Sequence, residues 1–236
     1  MRALLVVLSG PVAPEREDAY NDWYTNVHLP DVLAVPGSAR ATRYKAFPGE
    51  RSFDQEYMAL YELDVEDLDS LQAVSDEHMR RIEANEMHRS PPETIDRENV
   101  RSMYYIETGP RLGGHDDIPE TLFMPFTEPV SQQDDEEFNR WYQDIHLPEV
   151  LDVPGFSAAS RYKETGMNMT GRPWPISFPY LALYELGEKS KEVFDNAMKE
   201  LRRRITEGDR MEISDTLGLE KITQVYSRIT DRINAT

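Results

Sequence analysis

The chain has 236 residues, of which 39% are hydrophobic, so it can bury the core of one large domain or two small ones. Its 44 acidic residues outnumber 26 basic ones, and the net charge of −18 repels a phosphate backbone, so nucleic acid is not an expected partner. With no cysteine, the chain excludes disulfides, thiolate nucleophiles and cysteine-ligated metals. The longest apolar run, Ala3–Leu8, is too short for a membrane span or a signal-peptide core, so we expect a cytoplasmic protein with no membrane contact.

An internal repeat divides the chain into two similar halves. Residues 20–45 read YNDWYTNVHLPDVLAVPGSARATRYK, and residues 138–163 read FNRWYQDIHLPEVLDVPGFSAASRYK. At this offset of 118 positions, 15 of the 26 residues are identical. Further along, residues 57–63 (YMALYEL) match residues 180–186 (YLALYEL) at an offset of 123, so the second half has gained five residues between its middle strands. A repeat of this length predicts one structural unit built twice.

Each half predicts the order strand, helix, strand, strand, helix, strand. Pro14 suits the first turn of a helix, and Pro30 predicts that this helix ends at His28 or just after it. Residues 31–35, and 149–153 in the second half, can each form one further helical turn before Pro-Gly. Ser131 predicts the start of the equivalent helix in the second half. The remaining predicted elements are strands over 3–8, 40–47, 57–63, 100–107 and 219–228, and helices over 65–85 and 189–206. The predicted buried face of the 65–85 helix carries Leu68, Leu71, Ser75, Met79 and Ile82.

This order predicts an α+β fold of two ferredoxin-like βαββαβ repeats. The predicted domains are residues 1–110 and 121–236, joined by a glycine-rich linker over 111–120. The 57–63 strand is apolar on both sides, so both faces of its sheet need cover. Two such sheets packed sheet to sheet supply that cover, which predicts an intramolecular, pseudo-dimeric α+β barrel of eight strands.

A shared motif carries a resemblance to a known family. Both halves contain W-Y-x-x-x-H-L-P-[DE]-V-L-x-V-P-G, followed by R-Y. This motif resembles the EthD-like members of the dimeric α+β barrel superfamily, and it covers both halves of the chain. The resemblance implies a fused, tandem version of that fold, with a cofactor-free site near His28 or His146. Relatives include polyketide cyclases, muconolactone-type isomerases and haem-handling oxygenases, so the motif does not name a reaction.

Helix periodicity gives the two histidines a defined position. Tyr24 and His28 share one face of the first helix, and Tyr142 and His146 repeat the pattern in the second half. An imidazole beside aromatic walls can exchange a proton near pH 7 with an aromatic or enolic ligand. The alternative is structural, since histidine can also cap a helix C-terminus.

The candidate substrate-binding residues are two arginines, four tyrosines and one tryptophan: Arg43, Arg161, Tyr24, Tyr142, Tyr44, Tyr162 and Trp174. Arg43 and Arg161 can form cross-strand ion pairs with Glu62 and Glu185, or they can bind a carboxylate or phenolate. Alternation places Tyr44 and Tyr162 on the sheet face opposite to these arginines. With Tyr44 and Tyr162, four further tyrosines are expected to line the interior of a barrel: Tyr57, Tyr61, Tyr180 and Tyr184.

No metal and no cofactor is expected. Paired ligands are available in each half as His28 with Asp31 and His146 with Glu149, but one histidine and one carboxylate make a thin shell, and a proline interrupts each pair. The other three histidines lie in polar segments and are expected to be solvated: His78, His88 and His115.

The five additional residues lie in an apolar loop over 166–179 that contains Trp174. This loop can close over a pocket as a lid, or it can pack on a second chain, which leaves a homo-oligomer open. If it belongs to its own half it favours His146 as the active histidine. If it packs with the opposite helix it favours His28.

The sequence therefore predicts a small enzyme that performs proton-transfer chemistry as an isomerase, cyclase or lyase. Its ligand would be an aromatic, polyketide-like or lactone small molecule, with His146 or His28 as acid/base and tyrosine and arginine side chains orienting it. The alternative is a non-catalytic ligand-binding or assembly protein whose motif only builds the fold.

Overall fold

The computed structural model describes residues 1–49, 52–114, 119–208 and 211–235, and they form an α+β fold. They divide into two compact units. Unit 1 contains residues 1–106, 164–175 and 228–236, and unit 2 contains residues 107–163 and 176–227. The units differ from the predicted domains in three segments: residues 164–175 and the C-terminal residues from 228 belong to unit 1, and residues 107–110 belong to unit 2. Part of the predicted linker forms the short strand Leu112–Gly113 of unit 2.

Unit 1 contains five strands and a set of helices. Its strands are β1 (Arg2–Ser9), β2 (Ser38–Ala46), β3 (Tyr57–Asp64), β4 (Arg101–Glu107) and the C-terminal β10 (Ile233–Asn234). They pair antiparallel in the order β10-β2-β3-β1-β4. The helices are α1 (Glu17–Trp23), α2 (Leu29–Leu33) and α3 (Leu68–Glu83).

Unit 2 repeats this arrangement. Its strands are β5 (Leu112–Gly113), β6 (Thr121–Thr127), β7 (Phe156–Glu164), β8 (Tyr180–Leu186) and β9 (Ile222–Arg228), paired antiparallel in the order β5-β7-β8-β6-β9. The helices are α4 (Asp135–Trp141), α5 (Leu147–Leu151) and α6 (Lys191–Glu207). Each predicted strand is therefore present within two or three residues of its expected bounds.

The middle strand β3 is buried on both sides, as its composition predicts. Tyr57, Ala59 and Tyr61 belong to the cluster between the sheet and the helices of unit 1. Met58 and Leu60, which alternate with them, are also buried. The helix-facing cluster is the part of the core that positions the candidate site.

The helix that carries the motif does not end at its histidine. A π-helical turn over Tyr24–His28 joins α1 to α2, and Leu29 donates its backbone N–H to the Tyr24 carbonyl five residues back. Pro30 lies in the first turn of α2, where a missing N–H is tolerated. The prediction that the helix ends at or just after His28 is therefore wrong. The same turn occurs over Tyr142–His146 in unit 2.

The buried face of α3 differs from the predicted one. The buried residues are Leu71, Val74, Ser75 and His78, which follow helical spacing. Leu68 and Ile82, by contrast, are exposed. The prediction is therefore right for Leu71 and Ser75 and wrong for Leu68 and Ile82, because the buried stripe runs through Val74 and His78.

Gly37→Ala is expected to destabilise the protein more than Gly155→Ala. Both glycines follow the motif proline and have positive φ angles of 94° and 110°. A Cβ on Gly37 would lie 2.5 Å from Cγ2 of Val74, whereas one on Gly155 would lie 3.3 Å from Cβ of Ala197. We expect a cost of roughly 2–4 kcal/mol for Gly37→Ala and about 1–2 kcal/mol for Gly155→Ala. Urea unfolding of the two variants tests this, and equal costs would contradict it.

Among the residues that the structure describes, no helix is both long and apolar enough to cross a membrane.

Candidate functional site

In unit 1, His28 lies against two aromatic rings at the end of the π-helical turn. Its imidazole stacks on Trp23, with ring centroids 4.9 Å apart and an interplanar angle of 19°. It meets the edge of Tyr24 at 4.8 Å and 84°. The wider turn allows both contacts, because it aligns side chains five residues apart as well as four. His28 as a whole residue is partly exposed, beside this aromatic wall.

In unit 2, His146 repeats this geometry. It stacks on Trp141 at 4.8 Å and 24° and meets Tyr142 at 4.8 Å and 84°. Its Nδ1 is buried, and no described residue offers that atom a hydrogen bond. Because the packing is the same in both units, the motif geometry by itself does not assign catalysis to either histidine.

Burial decides the protonation of His28. Loss of solvation lowers the pKa of His28 to about 4. The nearby carboxylate of Asp31 opposes this effect by favouring the imidazolium, while His78 and Arg43 reinforce it. The His28 ring is therefore neutral at pH 7, with one carboxylate within electrostatic reach.

The pKa of His146 is lowered further than that of His28. Burial lowers the pKa of His146 to about 3, and the positive charges of Arg161 and Lys221 lower it further. Both motif histidines are therefore neutral at pH 7. Their difference lies in the surroundings, since a carboxylate favours the protonated form only at His28.

Arg43 lies behind the aromatic wall, on the helix-facing side of the sheet, and is 1% exposed. Its guanidinium donates to Thr25 Oγ1 at 2.8 Å and to the side-chain and main-chain oxygens of Asn21 at 2.8 and 3.2 Å. Its central carbon lies 4.5 Å from the ring centroid of Tyr24 and 5.5 Å from that of Tyr57. Aromatic faces and neutral acceptors thus hold this charge.

Arg161 occupies the equivalent place in unit 2 and is also 1% exposed. It donates to Oδ1 of Asn139 at 2.9 Å and lies over the rings of Tyr142 and Tyr180 at 4.0 and 5.1 Å. Loss of solvation lowers the pKa of Arg161. Thr25, which accepts a hydrogen bond from Arg43, is replaced by Gln143 at the equivalent position of unit 2. Among the described residues, Nη2 of Arg161 has no hydrogen-bond partner.

The predicted ion pair between Arg43 and Glu62 is wrong. The register places Arg43 opposite Ala59, while Glu62 lies opposite Arg40 and binds it at 2.8 Å. The pairing runs without a break from Arg40 to Lys45, so Arg43 lies three residues away from the position opposite Glu62.

The equivalent pair in unit 2 is wrong for the same reason. Arg161 lies opposite Ala182, and Glu185 binds Arg111 at 2.7 Å. No carboxylate of the described residues lies within ion-pair distance of Arg43 or Arg161.

The tyrosines of the sheet separate onto two faces. Tyr44 lies opposite Met58 in register, on the face away from the helices. Tyr57 and Tyr61 belong to the helix-facing cluster beside Arg43, so the prediction that they share the face of Tyr44 is wrong. In unit 2 the same alternation separates Tyr162 from a helix-facing set, namely Arg161, Tyr180 and Tyr184. Tyr44 and Tyr162 are buried but are not brought to the histidines.

The segment over residues 164–175 lies along β4. Thr165 donates its N–H to the Tyr104 carbonyl at 3.0 Å, and Tyr104 donates its N–H to the Met167 carbonyl at 3.0 Å. Met167 and Met169 pack against the helix-facing cluster of unit 1. The segment therefore belongs with His28, which is the arrangement that favours His28 over His146.

Trp174 does not lie beside His28. Its ring meets Tyr105 with centroids 6.3 Å apart. Tyr105 alternates with Tyr104, which faces the helices, so Trp174 lies on the opposite face of the sheet. Its role as a substrate-binding residue stays a prediction, separate from the histidine.

His78 is a residue that the sequence reading missed. It is 0% exposed, so the prediction that it is solvated is wrong. Its Nδ1 lies 3.5 Å from the Tyr104 hydroxyl. Burial lowers the pKa of His78 to about 4. The signal was available, because His78 stands seven residues after Leu71 on the buried face of α3.

The prediction of a solvated side chain can be checked for only one of the other two histidines. His88 is exposed, and it binds Asp31 through its backbone N–H at 2.6 Å and its Nδ1 at 2.9 Å. His115 lies outside the described residues. Within the described part of the chain, no group of three or more histidine or carboxylate side chains could hold a metal ion.

Acid is expected to destabilise the parent protein more than it destabilises the His78→Leu variant. The pKa of His78 is about 4 in the folded protein and near its ordinary value of 6.5 when unfolded, so below pH 6.5 the unfolded state binds the extra proton. Stability is therefore lost as pH falls from 6.5 towards 4, and from pH 7 to pH 5 this histidine alone costs about 2 kcal/mol. Urea unfolding of both proteins at the two pH values tests this. Parallel losses would contradict it.

Comparison with known proteins defines the fold. No protein-family profile and no curated protein matches the chain. Among solved structures, an anthrone oxidase-like protein is 16% identical, with 99% of this chain and 93% of that chain covered and a TM-score of 0.56. A mutant chlorite dismutase from Candidatus Nitrospira defluvii is 11% identical, with 96% and 91% covered and a TM-score of 0.51. A proposed monooxygenase from Lactobacillus acidophilus NCFM is 10% identical, with 96% and 93% covered and a TM-score of 0.50.

These neighbours are members of the dimeric α+β barrel superfamily. At such identities the likeness shows the fold alone, so this chain shares their α+β fold.

Proposed function

We propose that the protein is a small-molecule enzyme that moves a proton on an aromatic or enolic substrate, with His28 as the acid/base and no bound cofactor. The observation that carries the proposal is a neutral imidazole held flat against Trp23, on a residue that is partly exposed, with the carboxylate of Asp31 within electrostatic reach. The reaction class is isomerisation, cyclisation or elimination on an aromatic, polyketide-like or lactone substrate. The name of one structural neighbour, an anthrone oxidase-like protein, is compatible with a polycyclic aromatic ligand.

Three differences between the units favour His28 over His146. The Asp31 carboxylate favours the protonated form of His28, whereas only positive charges act on His146. The 164–175 segment lies in unit 1. Glu149, at the position of Asp31, is partly buried, and burial raises its pKa, so its carboxyl is less readily ionised.

In the proposed reaction, neutral His28 removes a proton from an acidic carbon of the bound substrate. The electron pair of the C–H bond becomes the enolate, and the imidazolium is stabilised by the enolate and by Asp31. The proton then returns to a different atom of the substrate, which completes an isomerisation with no net change in electrons. Arg43 and Tyr24 are almost fully buried, so we do not assign them a contact with the substrate. Tyr24 meets the edge of the imidazole, and Arg43 packs on the Tyr24 ring behind it.

The same proposal includes the finer classification. We place the chain as an EthD-like tandem duplication, with two ferredoxin-like repeats packed sheet to sheet as a pseudo-dimeric barrel. The motif in both halves and the matching strand orders of the two units support it. A cytoplasmic location and a possible homo-oligomer belong to the same set of proposals.

Anthrone, the ketone form of a tricyclic phenol, is a suitable test substrate because its methylene protons are acidic. Proton NMR in D₂O without oxygen measures how fast the protein exchanges those protons for deuterium. We expect exchange well above the rate in buffer containing an equal concentration of a protein without the motif. Catalysed exchange in the parent together with oxygen uptake in air would show that deprotonation begins an oxidation. No catalysed exchange with any carbon acid of this class would contradict the proposal.

The alternative is a ligand-binding protein, and the near-identical packing of the two histidines favours it. In that case anthrone would perturb the tryptophan fluorescence but would not exchange its protons.

A further inference from the structure

The two units satisfy their buried arginines differently. In unit 1, Nη1 of Arg43 donates to Thr25 and Asn21, and Nη2 donates to Oδ1 of Asn21. In unit 2, Oδ1 of Asn139 accepts from Nη1 of Arg161 instead. Both Nε and Nη2 of Arg161 are buried and have no acceptor among the described residues. These two nitrogens form one edge of the planar guanidinium, so a whole donor edge is uncovered in unit 2.

One substitution between the repeats removes an acceptor from the arginine. Thr25, whose hydroxyl accepts from Arg43 at 2.8 Å, is replaced by Gln143. The Gln143 amide lies against another segment, since its Nε2 donates to the Pro110 carbonyl at 3.0 Å and a Cβ on Gly109 would lie 2.6 Å from its Oε1. That oxygen accepts no hydrogen bond from any described residue, so Gln143 does not take over the role of the threonine.

A second substitution removes a hydroxyl beside the same group. The central carbon of Arg43 lies 5.0 Å from the ring centroid of Tyr20, and that of Arg161 lies 5.0 Å from the ring centroid of Phe138. The two rings therefore occupy equivalent places, but only Tyr20 carries a hydroxyl. The Arg161 charge is left with aromatic faces and one asparagine, none of which is negatively charged.

One carboxylate acts on Arg161 electrostatically, but its oxygens are engaged elsewhere. Oδ1 of Asp135 accepts from the Tyr180 hydroxyl at 2.6 Å, and Oδ2 lies 3.9 Å from Nζ of Lys163. Within the described part of the chain, no ion pair joins Asp135 to Arg161. A buried cation without an ion-pair partner, and with two unsatisfied donors, costs free energy that a bound anion would recover.

We propose that unit 2 binds one small monovalent anion, a halide or the carboxylate group of a small molecule, on the Nε and Nη2 edge of Arg161. Parallel donors on one edge of a guanidinium match a carboxylate and also hold a single ion. The ligand is small because Arg161 is 1% exposed. Unit 1 has no equivalent site, since Nη2 of Arg43 is already bound to Asn21. The proposal concerns unit 2 and does not depend on the function proposed for His28.

Urea unfolding at constant ionic strength tests for the anion. Sodium chloride and sodium formate replace, in separate series, the sodium salt of a bulky sulfonate that is too large for so buried a site. We expect the unfolding midpoint of the parent protein to rise as the small anion replaces the sulfonate. At ten times the dissociation constant, binding to the folded state alone makes the folding equilibrium about elevenfold more favourable.

The matched control is the double variant Phe138→Tyr with Gln143→Thr, which gives unit 2 the residues that unit 1 has at these positions. We expect its midpoint to be independent of the anion. If the double variant does not fold, Gln143→Thr alone carries the same expectation. NMR of the arginine Nε–H groups gives a second measurement, in which formate or chloride should shift one signal saturably in the parent protein and none in the control.

An unfolding midpoint that is the same in chloride, formate and the sulfonate would overturn the proposal, because water would then satisfy both donors. Equal anion dependence in the parent and the control would also overturn it, because the anion would bind at a different place. A response to formate alone would support the site and identify its ligand as a carboxylate. A response to chloride alone would support the site and identify a halide.

Discussion

His28→Gln is expected to lower the rate of anthrone proton exchange by about 10²–10⁴, because an amide keeps a hydrogen-bonding group of similar reach but cannot carry a proton near pH 7. His146→Gln makes the same change in the same local packing, since both rings stack on a tryptophan at nearly equal distance. We expect it to lower the rate less than about tenfold. Initial rates by NMR, with circular dichroism as a check on folding, compare the two variants.

The paired design distinguishes chemistry from structure. A structural role predicts that both variants lose similar stability, about 0.5–2 kcal/mol, with exchange nearly intact. A large loss of exchange only in His146→Gln would move the proposed site to unit 2. Parental rates in both variants would exclude either histidine as the acid/base.

Much of the architecture could be predicted because it is local in sequence. The alternation in β3 and the internal repeat both survive in the structure, since burial on two faces leaves a continuous apolar pattern. The π-helical turn could not be predicted in the same way. Pro30 indicates only that one N–H is missing, and whether the helix ends or widens there depends on packing.

The errors in the candidate site come from non-local geometry. Which residue faces Glu62 depends on the register between two strands, and that register places Arg40, not Arg43, opposite it. The location of the 164–175 segment depends on a contact with β4, about 60 residues earlier in the chain, that no local pattern encodes. The error for His78 has a local cause. Its spacing from Leu71 predicts a buried position, but the predicted buried face was drawn through Leu68 and Ile82, which are exposed at the ends of α3.

Trp23→Ala and Trp141→Ala are each expected to cost about 3–5 kcal/mol of stability, because each removes a large buried ring from the contact between helix and sheet. Trp23 and Trp141 are 8% and 7% exposed, so each substitution removes a side chain that is almost completely buried. Urea unfolding measures the cost, and a midpoint within error of the parent would contradict the buried position.

Replacement by phenylalanine separates ring volume from the indole N–H. Nε1 of Trp141 donates to the Glu212 carbonyl at 3.3 Å, whereas Nε1 of Trp23 is buried with no acceptor among the described residues. Trp141→Phe therefore loses a hydrogen bond of about 0.5–1.5 kcal/mol in addition to ring volume. Trp23→Phe loses ring volume but removes an unpaired donor. We expect Trp23→Phe to be the milder substitution, and a larger loss for Trp23→Phe would show that its N–H has a partner in solution.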